Sequence, residues 1–181
     1  MATIISHPAV PLALGLALGR ERIPGRLLEF GVLASILPDL DVAAFRLGIS
    51  YGDMFGHRGF THSIFFALVI GLVFSRCSKI GRERPWVVFL FVAFSCISHG
   101  LLDAMTNGGY GVGFFSPFNG ERYFASWTPI EVSPIGAAFF SPRGMAVLRS
   151  ELTAVWLPCG LFALLGAGLR LSASGVRRAG E

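Results

Sequence analysis

The sequence predicts an all-α fold: a polytopic membrane helical bundle with about three to five embedded helices and an irregular outer loop rich in Gly, Pro and Phe. Three observations carry this expectation. Hydrophobic residues make up 53% of the 181 and charged residues only 14%, against roughly 25% charged in an ordinary soluble domain. The apolar residues come in runs of membrane-helix length. Most of the 15 Lys and Arg fall between those runs. Low charge with high hydrophobicity excludes a disordered chain. The three cysteines show no CxxC spacing, so neither a disulfide framework nor a cysteine zinc site is expected. A formal charge of +4 would suggest nucleic-acid binding in a soluble protein. Here topology explains the basic residues, and no nucleic-acid partner is expected.

Two short apolar runs come first, residues 8–19 and 27–37. At about 1.5 Å per residue neither crosses a ~30 Å hydrocarbon core unaided, so a tilted or partly inserted hairpin is expected. Residues 60–75 and 86–102 carry no charge beyond His62 and His99, and residues 152–171 carry only Arg170. These are the better spans. Arg20, Arg22 and Arg26, then Arg76, Lys79, Arg82 and Arg84, then Arg177 and Arg178 mark the cytoplasmic side. Residues 104–150 form the outer loop, its Ser-Pro and Thr-Pro pairs reading as turns. No cleavable signal peptide is expected. One integral-membrane domain therefore occupies residues 1–171, and residues 172–181 read as a mobile cytoplasmic tail.

The polar residues beside the apolar runs are the chemically informative ones. His57-Arg58-Gly59-Phe60-Thr61-His62-Ser63 leads into one run, and His99-x-x-x-Asp103-x-x-Thr106 ends the next. His99 and Asp103, four apart, project from one helix face, and such a pair can share a metal ion. Pro38 is expected to end the preceding helix, placing Asp39 and Asp41 in a loop. The topology drawn from Arg and Lys puts His7, Asp39, Asp41, His57, His62, His99 and Asp103 near one membrane face. Ionisable groups at such positions point to function. Zinc fits mixed His and Asp donors best, as one or two ions, and manganese is possible. A metal-free His–Asp hydrogen-bond network is the alternative. Expected ligands are His7, Asp39, His57, His62, His99 and Asp103. One of Asp39, Asp41 and Asp103, Asp41 first among them, is expected to take up a proton, and Arg58 or Arg122 to steady an anionic oxygen, with Arg122 the expected substrate-binding residue.

His7, Leu37-Pro38-Asp39-Leu40-Asp41, the HRGFTHS run, His99-x-x-x-Asp103, and the later Glu121-Arg122-Tyr123-Phe124 and Trp127-Thr128-Pro129-Ile130 stretches lie in an order that resembles the YdjM-like, LexA-regulated inner-membrane predicted metal-dependent hydrolases. The resemblance implies a bacterial inner-membrane location and hydrolytic activity. A more distant likeness is to zinc-dependent phospholipase C, whose site also combines an N-terminal group, an Asp, a His and an HxxxD helix. No His follows His99, which departs from the phospholipase pattern and favours one or two metals over three. The expected function is hydrolysis of a phosphoester or lipid-related substrate at the outer, periplasmic face, among membrane lipids. The alternative is a non-enzymatic cation carrier or a scaffold with a structural metal.

Overall fold

A computed structural model describes residues 1–134 and 136–179. Among these the chain is helical, with two isolated β-bridges and no strand. Helix α1 (Ala9–Leu18) starts behind Pro8 and stops at Gly19, whose φ of 80° is a left-handed conformation that glycine adopts at no steric cost. Helix α2 (Gly25–Ile36) follows, and a 3-10 helix (Leu37–Leu47) continues it. Pro38 does not open a loop there. It sits in the first turn of the 3-10 helix, where its missing N–H costs nothing, so Asp39 and Asp41 lie on a helical segment.

A 3-10 turn (Phe60–His62) precedes α3 (Ile64–Cys77), so this helix begins four residues later than the apolar run suggests. Ser63 caps it by accepting from the Phe66 N–H at 3.0 Å. One helical turn, α4 (Lys79–Glu83), joins α3 to α5 (Pro85–Ala104). Residues 104–150 are not irregular throughout. A 3-10 turn (Gly136–Phe139) is followed by α6 (Pro142–Glu151), because Pro142 after Ser141 starts a helix at its first position. A π-helical segment (Leu152–Trp156) links α6 to α7 (Leu157–Ala179). The expected mobile tail begins inside α7, and its last two positions, 180–181, lie outside the described residues.

α5 is the axis of the bundle, packing on α2 and α3, while α1 lies along α7. Small residues permit these approaches. A Cβ on Gly71 would stand 2.8 Å from the Phe89 carbonyl oxygen and 2.9 Å from the Ala93 Cβ. Leu27, Ala67, Val88, Val92 and Cys96 fill the core between α2, α3 and α5. Among the described residues two helical stretches are long and apolar enough to cross a membrane: Pro85–Ala104, its most apolar 18 residues 67% buried, and the continuous Pro142–Ala173, its most apolar 18 residues 11% buried. The first is a core helix. The second turns Leu161, Leu164, Leu165 and Leu169 outward, as a lipid-facing helix would.

Candidate metal centre

The fold brings His7, Asp39, His62, His99 and Asp103 together, each no more than 5% exposed. His99 and Asp103 share one face of the last turns of α5, as their spacing requires. The 3-10 helix after α2 supplies Asp39, and the turn before α3 supplies His62. That turn is held by the Phe60 N–H on the Met54 carbonyl and the Ile64 N–H on the Phe114 carbonyl. Gly59 is required there, since a Cβ would lie 2.2 Å from the Met54 oxygen. His7 enters from the N-terminal segment, its ring stacked on that of His99 at 3.6 Å.

That segment is tied down by Glu151, 1% exposed. Its carboxylate accepts from the Thr3 N–H, the Thr3 hydroxyl and the Ser6 hydroxyl, the last two at 2.6 and 2.7 Å. Farther along, the Ala2 N–H donates to Asp103 Oδ1 at 2.7 Å.

The two histidine nitrogens at the centre decide what the cluster can hold. His99 Nδ1 lies 2.7 Å from the Ser35 carbonyl oxygen, which can only accept, so Nδ1 carries the proton of the neutral ring. His62 Nδ1 lies 3.1 Å from the Thr61 hydroxyl and 3.2 Å from Asp41 Oδ2. The two Nε2 atoms lie 2.9 Å apart, a separation that a proton on His62 or a bound cation accounts for. Without a cation His62 holds that proton: burial lowers its pKa, but hydrogen bonds to Asp103 and Asp41 and their charge outweigh that and raise it to about 9. Burial, followed by the charge of His99, lowers His7 to about 3 and keeps it neutral, the form in which imidazole ligates metal.

Both His7 nitrogens and both Asp39 oxygens are buried without a hydrogen-bond partner. His7 Nε2 is 3.8 Å from Asp39 Oδ2 and 3.8 Å from Asp103 Oδ1, and His99 Nε2 is 3.4 Å from Asp39 Oδ1. Such orphaned donors and acceptors are rare and each needs an explanation. Asp39, His62, His99 and Asp103 offer atoms within 4.8 Å of one another, and tetrahedral ligands at about 2.0–2.1 Å would lie about 3.3 Å apart, close to the 3.4 Å between His62 Nε2 and Asp103 Oδ2 and between His99 Nε2 and Asp39 Oδ1. The donor set fits a divalent cation.

The remaining expected residues lie beside this cluster. Asp41 accepts from His57 Nδ1 at 2.6 Å, the Thr61 hydroxyl at 2.7 Å and the Arg58 N–H at 3.2 Å, besides His62. Burial raises its pKa, but the hydrogen bonds from His57 and His62 hold the carboxyl well below the usual range. Asp41, His57 and His62 also form a second group able to hold an ion, and His57 Nε2 is buried and unpartnered. Arg58, at φ +62°, is in a conformation costly for a residue with a Cβ. It turns a fully buried guanidinium onto Asp103 Oδ2 at 3.1 Å, the Gly108 carbonyl and the Thr106 hydroxyl. Arg122 donates to the carbonyls of His57, Tyr51 and Asp53. Both arginines direct these donors to groups of the protein itself. Sequence reasoning missed Glu151, Thr61 and the Ser35 carbonyl. Only Glu151 had a signal, a lone carboxylate at the head of an apolar run.

An all-helical chain with an apolar bundle and a buried His–Asp cluster at helix ends is an integral-membrane protein with a candidate metal site. The chain belongs to the YdjM inner membrane protein family, whose model matches residues 1–176. It is 48% identical over 166 residues to inner membrane protein YbcI of Escherichia coli strain K12, covering 87% of this chain and 92% of that protein. No solved structure matches it. Its location is the inner membrane.

Proposed function

We propose that this protein is a metal-dependent hydrolase of the inner membrane, acting at the outer, periplasmic face on a lipid-related or phosphoester substrate. The unpartnered nitrogens of His7 and oxygens of Asp39, buried beside His62, His99 and Asp103, carry the reading, because a cation would satisfy them where two carboxylates converge. Zinc suits three imidazoles and two carboxylates best, with manganese second. A divalent cation held there by His7, Asp39, His62, His99 and Asp103 would supply Lewis acidity and a water of lowered pKa.

The chain's own residues provide the rest. His57, with Nδ1 on Asp41 and Nε2 unpartnered, is placed to exchange a proton, and Asp41 orients its ring. Arg58 braces Asp103. Arg122 fixes the 51–57 loop that carries His57. A lipid substrate is supported by a groove of about 390 Å³ in which Asp39 is the one ionisable side chain, its walls including Ile4, Ile5, Phe139 and Phe140. In this reading α1, α2 and α3 are embedded beside the two long helices, and the basic connections face the cytoplasm.

The test is purification in detergent, elemental analysis of bound metal, and a screen of phosphoesters and lipids with His62→Ala as control. A wild-type protein that never holds stoichiometric metal would sink the proposal. The near-complete burial of the five side chains favours a second reading, a purely structural ion. Metal-dependent thermal stability with no turnover of any substrate would select it.

A further inference from the structure

The metal centre uses the start of α3 and the end of α5; the opposite end of the same helix pair carries a different chemistry. A groove of about 740 Å³ opens there between α3, α4 and α5. Phe65, Leu68, Val69 and Leu72 form one wall, their spacing placing them on a single face of α3, each 39–49% exposed. Trp86 and Phe89 of α5 form the other wall, and Trp86 is 73% exposed. Arg76, at the end of α3, and Arg82, in α4, close the groove at its basic end.

Neither guanidinium has a hydrogen bond or an ion pair among the described residues. Glu83 is the only acid between positions 76 and 84, against Arg76, Lys79, Arg82 and Arg84. Arg84 donates to the Glu21 carbonyl at 2.8 Å and points elsewhere. The groove thus joins an apolar trough to two positive charges lacking a counter-charge.

We propose that this groove is a binding site for one anionic phospholipid, with an acyl chain along the α3 wall and the phosphate on Arg76 and Arg82. The walls would accept any hydrocarbon; the arginines choose the headgroup. Guanidinium matches phosphate in charge and in paired hydrogen bonds. A tryptophan at headgroup depth is the side chain expected at such a boundary, and basic pockets between membrane helices select anionic lipids. A second copy of this chain is a poor occupant, since it would set arginine against arginine. A zwitterionic lipid brings a cation to the same place. The site does not depend on the hydrolase reading and stands or falls apart from it.

The experiment uses the full chain in non-ionic detergent. Thermal stability is measured with phosphatidylglycerol, with phosphatidylcholine of the same chains, and with glycerol 3-phosphate alone; retained lipid is counted by native mass spectrometry. Phosphatidylglycerol should be preferred over phosphatidylcholine by about 25-fold, roughly fivefold for each arginine. The Arg76→Gln/Arg82→Gln variant should lose that preference, and Arg76→Lys/Arg82→Lys should keep part of it. Leu72→Trp, which fills the trough and leaves the charges, should reduce retained lipid. Equal retention of the two lipids by the wild type overturns the proposal whether or not the variants fold. So does a preference that survives in the glutamine variant, or a full effect from glycerol 3-phosphate, which would mean a bare anion site.

Discussion

Asp41→Asn separates a carboxylate that orients the metal ligands from one that takes the substrate's proton. In the structure Asp41 faces only donors: His57 Nδ1 at 2.6 Å, the Thr61 hydroxyl at 2.7 Å, and the Arg58 N–H and His62 Nδ1 at 3.2 Å. An asparagine keeps the shape but turns an NH2 either toward His57 Nδ1 or toward the other three donors, and His62 loses the carboxylate beside its Nδ1. Removing such an outer partner of a ligating histidine costs about 10–100-fold in metal affinity, which is about 1.4–2.7 kcal/mol. The assay is competition against a chromophoric chelator, with metal content checked by elemental analysis. Affinity within a factor of two of wild type, together with abolished turnover, would refute the orienting role and make Asp41 the proton acceptor itself.

Other expectations follow from the same geometry. His57→Gln should leave bound metal unchanged and lower turnover by about 10²–10⁴-fold, as loss of a positioned general base does; loss of metal instead would make His57 a ligand. Chelation should lower the melting temperature by about 5–10 °C when the metal is present at a hundredfold excess over its dissociation constant. Glu151→Gln should cost about 2 kcal/mol, because a buried carboxylate receiving three donors becomes a group that can satisfy fewer; thermal unfolding reads this, and an unchanged transition would contradict it. In the metal-free protein His7 stays neutral down to about pH 3, whereas in the unfolded chain it protonates near 6.5. The unfolded state therefore binds more protons in that window, and stability should fall as pH drops from about 6.5 toward 3. His7→Phe should weaken that dependence in denaturation curves.

The all-helical class and the side chains that cluster were legible because they depend on composition and short spacings. His99 and Asp103 are four apart and share a helix face whatever surrounds them. His7, Asp39 and His62 were recognisable as donors beside apolar runs, but their convergence depends on contacts between residues far apart in sequence. Helix boundaries were harder. Pro38 and Pro142 both read as breaks, and both lie in first turns, where proline is tolerated and its fixed φ is already helical. What holds the ligands was illegible for another reason. The Ser35 carbonyl and the Ala2 N–H are backbone groups, which no residue pattern marks.

Glu151 stands 148 positions from Thr3, yet it fastens the segment that carries His7. The anchor of the His7 segment is thus shared between two helices far apart in sequence: Asp103 of α5 takes the Ala2 N–H, and Glu151 of α6 takes three further donors. A shift of α6 against α5 would pull on His7 directly, so the packing of a helix that supplies no member of the cluster sets where one of its imidazoles stands.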